Sequence, residues 1–173
     1  MNYRDQLLSE HSRANADLVL NHVLKDRSRV GELMEVFLSD EYRAVQRSAM
    51  VVGDLGRLRP VWLQPWHKQM ILAAKEPKHD SVVRNVMRFF SELEMEQINE
   101  EDQGELLDLA FRLTESPLQA VAIRVFSMSV AANFCQWYPE LKDELRGIIE
   151  LSIAEGTTAG FRSRGNKILR KLK

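Results

Sequence analysis

The chain has 173 residues, of which 45% are hydrophobic and 28% charged, and this composition excludes a disordered, collagen-like or low-complexity chain. Lysine and arginine number 24 against 25 aspartate and glutamate residues, so the net charge of -1 excludes a histone-like polycation. The single cysteine, Cys135, excludes an intramolecular disulfide framework and a multi-cysteine zinc site, and fits a reducing compartment.

The start of the chain and its hydropathy predict a cytoplasmic protein with no membrane partner. Met1–Glu10 lacks the basic and apolar regions of a secretory signal. No run of 18 apolar residues exists to span a bilayer. The longest weakly charged stretch, Pro117–Pro139, contains Arg124 and several polar residues, so we interpret it as a helix buried on most sides.

Apolar residues recur at intervals of three and four along most of the chain, which predicts amphipathic helices. Strict period-two alternation is hard to find, and the Asn-Gly and Asp-Gly hairpin turns are absent. An all-α fold follows. The clearest faces are Val30, Leu33, Met34, Phe37 and Leu38, then Leu106, Leu109, Ala110 and Leu113, and finally Leu141, Leu145, Ile148 and Ile149.

Four candidate helix starts lie at Asp40, Asp80, Ser116 and Thr157, with spacings of 40, 36 and 41 residues. Each of these side chains can cap a helix N-terminus with an oxygen. Pro117 directly after Ser116 strengthens the third start, because proline at the first helical position loses no intrahelical hydrogen bond. The spacing predicts a structural repeat.

The segments that follow these starts share one apolar face. Val45, Ala49, Val52 and Leu55 align with Val83, Met87, Phe90 and Leu93, and Ile123, Phe126 and Val130 follow similar intervals. Each start is also preceded by an amphipathic stretch, at about 29–39, 66–76, 101–114 and 140–155. We therefore predict four helix pairs, with one or two further helices over Tyr3–Lys25.

A period near 40 residues and a Val-Arg-x-x-apolar pattern on the second helix resemble HEAT repeats over residues 28–172. Val83-Arg84-Asn85-Val86-Met87 matches best, and the segment from Val45 to Ala49 matches more weakly. The resemblance implies one all-α domain, a HEAT-like solenoid or α-α superhelix whose second helices line the inner surface. The predicted parts are an N-terminal cap at 1–27 and repeats at 28–60, 61–97, 98–138 and 139–173.

Residues that could carry chemistry are sparse. His11, His22, His67 and His79 show no metal-binding spacing, so we expect surface or packing roles. Cys135 lies in the most apolar predicted helix, where we expect a buried, inert thiol. The sequence contains no nucleophile elbow, phosphate-binding loop or dinucleotide motif. We predict no catalytic, metal or cofactor site, and therefore no enzyme.

Arginines recur on the predicted second helices, and two interpretations of them stay open. They would form either a basic stripe for phosphates or acidic partner segments, or a ladder of ion pairs between repeats. The residues concerned are Arg43, Arg47, Arg84, Arg88, Arg124, Arg162 and Arg164. Of these, the last five are candidate partner contacts.

Two further features are candidate contacts with the same ambiguity. Trp62 and Trp66 flank Pro65 in a predicted turn, where they would either anchor a partner or pack under the neighbouring repeat. The acidic run between Phe89 and Glu105 contrasts with the basic segment Thr158–Lys173, which has six cations and no acid. That segment would track a nucleic-acid backbone or form a solvated terminal helix.

These features predict a non-enzymatic protein-interaction module that presents a rigid helical-repeat surface to another protein or a peptide segment. The alternative is a nucleic-acid-binding protein resembling the HEAT-like DNA alkylation-repair glycosylases. Those enzymes need a cationic groove with aromatic residues, for which Trp62, Trp66, Arg84, Arg88 and the basic end are the raw material. The net charge of -1 argues against that alternative.

Overall fold

The structure is a computed structural model that describes residues 1–77 and 80–173, and the chain divides into two compact units. Unit 1 is Met1–Phe89 and unit 2 is Phe90–Lys173. The described residues form α-helices, single 3₁₀ turns and connecting segments, with no β-strand among them. The predicted all-α fold is confirmed. None of the described helices is both long and apolar enough to cross a bilayer.

Unit 1 begins with two short helices, where the sequence predicted one or two over Tyr3–Lys25. Side chains cap both, because Asn2 Oδ1 accepts from the Asp5 amide and Ser12 Oγ accepts from the Asn15 amide, each at 3.1 Å. The helices that contribute to this unit are α1 (Tyr3–Ser9), α2 (Arg13–Val23), α3 (Val30–Phe37), α4 (Tyr42–Leu58), α5 (Pro60–Leu63), α6 (His67–Lys75) and α7 (Asp80–Ser91), the last of which contains the unit boundary.

The core of unit 1 contains the apolar faces predicted for α3 and α4. Every predicted residue of those two faces is buried except Leu38, which is half-buried. The packing is close at Gly56, where an added Cβ would lie 2.6 Å from Cδ2 and Cε2 of Phe89. Only glycine therefore fits at this contact between α4 and α7 without displacing the ring.

A carboxylate also stabilises unit 1. Asp54 of α4 is buried and pairs with Arg13 of α2 at 2.9 Å, and it accepts a further hydrogen bond from Arg57 one turn along α4. Arg13 also pairs with Asp17 at 2.9 Å. The buried carboxylate is thus compensated by two guanidinium groups, as burial of a charge requires.

Unit 2 contains four long helices and corrects two predicted helix starts. Thr158, rather than Thr157, caps the last helix by accepting from the Phe161 amide at 3.3 Å. Ser116 ends a helix instead of starting one, because Pro117 forces the residue before it into an extended conformation (ψ 115°). The four helices are α8 (Glu100–Glu115), α9 (Val121–Trp137), α10 (Lys142–Ala154) and α11 (Ala159–Lys171).

The other predicted boundaries lie close to the observed ones. Acidic residues fill the first turn of α8 after Asn99, where they lie at the positive end of the helix dipole. The helix predicted from Asp40 begins at Tyr42 as α4. The amphipathic stretches predicted at 29–39, 66–76, 101–114 and 140–155 correspond to α3, α6, α8 and α10. The division of the chain into numbered repeats stays a prediction.

The core of unit 2 lies between α8, α9, α10 and α11. The predicted face of α8 is buried, as are Ile123, Val130 and Phe134 of α9 and Phe161 of α11. Phe126, which the sequence places on the same apolar face, is only half-buried. The helix α9 carries apolar residues of its own on nearly all sides, so the spacing of these residues does not show which face is buried.

Candidate functional site

Arg124 is the most deeply buried of the predicted contact residues. Its relative exposure is 8%, and its guanidinium lies 4.1 Å from the centre of the Phe161 ring. Nε donates to the carbonyl of Thr114 at 2.9 Å, and Nη2 donates to Oγ of Ser152 at 3.0 Å. Arg124 therefore joins α9 to the end of α8, to α10 and to α11.

The surroundings of Arg124 are polar but hold no carboxylate among its described hydrogen-bond acceptors. Burial lowers the pKa of the guanidinium below its ordinary value, because removal from water disfavours the charged form. The hydrogen bonds and the aromatic ring compensate part of that cost. Arg124 is thus a structural residue of unit 2, and we do not include it in a partner-binding surface.

The other arginines on the predicted second helices do not behave alike. In unit 1, Arg47 donates to the carbonyl of Leu7 at 2.9 Å, whereas Arg84 and Arg88 are exposed on α7. In unit 2, Arg162 and Arg164 are exposed on α11. The acceptors of Arg47 and Arg124 are therefore carbonyl and hydroxyl oxygens rather than the carboxylates of a ladder.

The two tryptophans of the predicted turn lie in unit 1, around a short helix and a 3₁₀ turn. Pro60 opens α5 and Pro65 lies in the turn Gln64–Trp66. Trp62 and Trp66 are both half-buried, and Trp66 Cζ2 approaches within 3.7 Å of the position that a Cβ on Gly31 would take. The Trp66 ring therefore packs on α3, which agrees with a stiffening role in the bend.

A groove between α9 and α11 is the strongest candidate site in the described part of unit 2. It encloses about 510 Å³, a volume within the ~300–1,000 Å³ range of ligand sites. We call it the unit 2 groove. Its lining residues are Ser91, Ser129, Ala132, Asn133, Cys135, Gln136, Lys142, Arg164, Lys167, Ile168, Lys171 and Leu172.

The two walls of the unit 2 groove differ in chemistry. The α11 wall carries a row of cations, Arg164, Lys167 and Lys171, at the i, i+3, i+7 spacing of one helix face. Lys142, at the first position of α10, adds a fourth. The described lining contains no aspartate or glutamate, so the groove is locally positive.

The α9 wall carries uncharged polar side chains at a matching spacing. Ser129, Asn133 and Gln136 stand at i, i+4 and i+7 along the helix and all border the groove. Asn133 Nδ2 donates to the carbonyl of Ser91 at 3.3 Å. Hydroxyl and amide groups of this kind offer both donors and acceptors to a bound molecule.

One hydrogen bond links the two walls. Ser129 Oγ donates to the carbonyl of Val125 at 2.9 Å and accepts from Arg164 Nη1 at 3.0 Å. The hydroxyl proton is therefore committed to α9, and its lone pair orients the guanidinium of Arg164. At the far end, Arg146 of α10 donates to the carbonyl of Leu172 at 3.1 Å and holds the end of α11.

The floor of the groove is apolar. Ile168 and Leu172 are both buried, and Cys135 lies beneath the surface with a relative exposure of 1%. Burial raises the pKa of the Cys135 thiol to about 11, because the thiolate would lose its hydration. The thiol is therefore protonated near neutral pH and unsuited to nucleophilic chemistry.

The three histidines that the structure describes lie at surface or packing positions, as the sequence predicts. His11 is exposed, His22 Nδ1 hydrogen-bonds the hydroxyl of Tyr3 at 2.9 Å, and His67 is buried edge-on to Phe89 at 5.7 Å. His79 lies outside the described residues. Within residues 1–77 and 80–173, no group of three or more His, Cys, Asp or Glu could hold a metal ion.

Sequence reasoning missed most of the groove. It identified Arg164 and the basic segment, but not Lys142 or the polar row on α9. The i, i+3, i+7 spacing of Arg164, Lys167 and Lys171 was visible in the sequence. The opposite wall was not, because it comes from a helix whose facing residue, Ser129, lies 35 residues before Arg164 in the chain.

Comparison with known proteins gives one match. A family model described as HEAT repeat domain matches residues 3–172. The match extends the resemblance, which the repeat spacing placed at 28–172, over the N-terminal helices. No curated protein and no solved structure shows a significant match to the chain.

Proposed function

Because the chain belongs to the HEAT repeat domain family, as its repeat spacing predicts, we propose that it is a non-enzymatic scaffold that binds another protein. The family match also confirms the predicted fold class, an all-α HEAT-type solenoid. We place the main contact in the unit 2 groove. The observation that carries this proposal is the charge of its lining, four cations and, among the described residues, no acid.

The charge of the groove is opposite to that of the unit around it. Residues 90–173 contain 14 aspartates and glutamates against 10 lysines and arginines. Four of those 10 cations line the groove, although the unit as a whole is acidic. Such a concentration of one sign focuses the field inside a cleft and favours an anionic ligand there.

A protein partner fits this groove better than a nucleic acid. Single-stranded nucleic acids bind on aromatic side chains that stack with bases, and the described lining contains no aromatic residue. The excess of acids in unit 2 also repels a long polyanion. A short acidic segment meets only the local positive field, while the side-chain amides of Asn133 and Gln136 offer hydrogen-bond partners to its main chain.

Binding also suits the groove better than catalysis. The Ser129 hydroxyl already donates its proton to Val125, and the Cys135 thiol is buried with a raised pKa. The remaining polar lining consists of amides, hydroxyls and cations, which recognise charge without activating a nucleophile. The cytoplasmic location stays a prediction from the sequence.

The other predicted contacts remain proposals. A second contact region in unit 1 would consist of Trp62, Trp66, Arg84 and Arg88. Within it, the two arginines of α7 are the best suited to contact a partner, because they are exposed while the tryptophans are half-buried. Arg162 is exposed on α11 but does not line the unit 2 groove. It therefore serves as a reference position for experiments on that groove.

The proposal is tested by measuring calorimetrically how a short synthetic peptide rich in aspartate and glutamate binds to the full chain. The groove variant combines Arg164→Gln, Lys167→Gln and Lys171→Gln. The matched control combines Arg162→Gln, Arg170→Gln and Lys173→Gln, which removes the same charge from α11 and the end of the chain directly after it, outside the groove.

We expect the groove variant to bind about tenfold more weakly, since three exposed ion pairs at about 0.5 kcal/mol each, within the ~0.2–1 kcal/mol range for such pairs, sum to about 1.5 kcal/mol. The control should stay within about threefold of the unsubstituted chain, because only screened, distant charges change. Equal losses in both variants would show that net charge alone attracts the peptide, and the proposed site would be wrong. Circular dichroism verifies that both variants remain helical.

A further inference from the structure

We infer that the unit 2 groove takes a single extended segment whose carboxylates stand at alternate residues, a conclusion that rests on the proposed protein-binding function. The cations on α11 form a short row along one face of the helix. At a rise of ~1.5 Å per residue, Arg164, Lys167 and Lys171 are separated along the helix axis by about 4.5 and 6 Å. The row is therefore about 10 Å long.

An extended peptide can pair with that row. Its residues rise ~3.3 Å each, so side chains on one face recur about every 6.6 Å. Carboxylates at positions i, i+2 and i+4 therefore cover about 13 Å, which long and flexible lysine side chains can reach. Carboxylates at successive positions would alternate between the faces, and every second one would point away from the cations.

The polar wall of the groove favours an extended chain over a helix. The main-chain N–H and C=O groups in the middle of a helix are paired within the helix, whereas those of a single extended segment are free to bond to another group. The side-chain amides of Asn133 and Gln136 can therefore bond to the main chain of an extended segment but not to that of a helix.

The opposite wall suits the other face of an extended segment. Ser129, Asn133 and Gln136 are uncharged, so the residues between the carboxylates would be small or polar side chains. Within the described residues Gln136 makes no side-chain hydrogen bond and is exposed, which leaves its amide available to a peptide main chain. The groove thus distinguishes the two faces of the segment by charge.

The fixed position of Arg164 sets where the segment begins. Ser129 holds its guanidinium from the α9 side, at 3.0 Å from Nη1, and the remaining guanidinium donors stay available. A planar guanidinium binds one carboxylate through two parallel hydrogen bonds, which lysine cannot do. We therefore place the best-defined carboxylate at Arg164 and the less ordered ones at Lys167 and Lys171.

The inference is tested with two peptides of identical composition and charge, both containing three glutamates among serines. One peptide alternates glutamate and serine, and the other has its glutamates together. Isothermal titration calorimetry compares them on the full chain, on the groove variant and on the matched control. We expect the alternating peptide to bind about twofold more tightly, because it makes one more ion pair, at about 0.5 kcal/mol. The groove variant should abolish this preference, and the control should retain it.

Three outcomes would overturn the inference. Equal affinity for both peptides on the unsubstituted chain would mean that charge is recognised without register, while the proposed protein-binding function would survive. Tighter binding of a helical peptide with glutamates at i, i+4 and i+7 would replace the extended segment. Concentration-dependent self-association in sedimentation velocity that only the groove variant loses would make the acidic run Glu92–Glu105 of a second copy the occupant.

Two outcomes would overturn the proposed function as well. If neither peptide binds while a single-stranded oligonucleotide does, and the groove variant abolishes that binding, the partner is a nucleic acid. If neither class of probe binds to the unsubstituted chain, the groove is not a site for polyanions. Both outcomes differ from a loss of register, in which each peptide binds with the same affinity.

Discussion

Replacing Arg124 with alanine tests whether this arginine holds unit 2 together instead of serving a partner. The side chain is 8% exposed and makes hydrogen bonds of 2.9 Å to the Thr114 carbonyl and 3.0 Å to Ser152. Both are charge-assisted bonds, which contribute about 1.5–3 kcal/mol each. The third contact, to the Glu115 carbonyl at 3.5 Å, lies at the limit of hydrogen-bond geometry and contributes little.

The remaining terms partly cancel. The contact with the Phe161 ring at 4.1 Å contributes about 1 kcal/mol. Removing a buried cation whose pKa burial has lowered returns part of its desolvation cost. We therefore expect Arg124→Ala to lower the free energy of unfolding by about 3–4 kcal/mol. Arg124→Lys should lose roughly half as much, since an ammonium keeps the charge without the planar fork.

Urea denaturation followed by far-ultraviolet circular dichroism measures both variants. Arg162→Ala is the matched control, because Arg162 is an exposed arginine in the same unit, and it should cost less than about 0.5 kcal/mol. If the two units unfold in separate transitions, the loss should fall on the transition of unit 2. An Arg124→Ala variant as stable as the Arg162→Ala control would refute the structural role of Arg124.

Two further predictions concern packing and ionisation. In α4, Gly56→Ala should lower stability by about 1–3 kcal/mol, because the new Cβ would lie 2.6 Å from the Phe89 ring. Gly53→Ala, with no atom within 4 Å of its Cβ, should raise stability by about 0.5–1 kcal/mol, and thermal melts of both that agree in sign would contradict the contact. Because burial raises the pKa of Cys135 from 9.0 to about 11, iodoacetamide near pH 8 should label the thiol only in urea. Equal labelling of the folded and the unfolded protein at pH 8 would contradict the burial of this thiol. The neutral thiol contributes its full stabilisation below pH 9.0, and this contribution to the free energy of unfolding is lost as the pH rises towards about 11.

Most of the local structure of this chain could be predicted from its sequence. Strongly amphipathic segments such as α3 and α8 have one apolar face, and that face is the buried one. Ser116–Pro117 misled because the same two residues can start a helix or end one. The direction depends on the segment before them, which in this chain is the long helix α8.

The candidate site was harder to predict, for two physical reasons. The helix α9 has apolar residues on nearly all of its sides, so their spacing in the sequence cannot show that Arg124 is buried. On α11, Arg164 and Lys171 line the groove while Arg162 and Arg170 do not, so cations occupy both sides of the helix. Which face becomes a wall is decided by packing against α9, which is a tertiary contact.

The most direct test of the account is a nuclear magnetic resonance titration of the labelled full chain with the alternating glutamate–serine peptide. We predict that amide shifts concentrate on the two walls of the unit 2 groove, around Ser129 and Gln136 on α9 and around Arg164 and Lys171 on α11. Shifts centred on the opposite face of α11, at Arg162, or on Lys173 beyond the end of that helix, would contradict the account. So would shifts confined to unit 1.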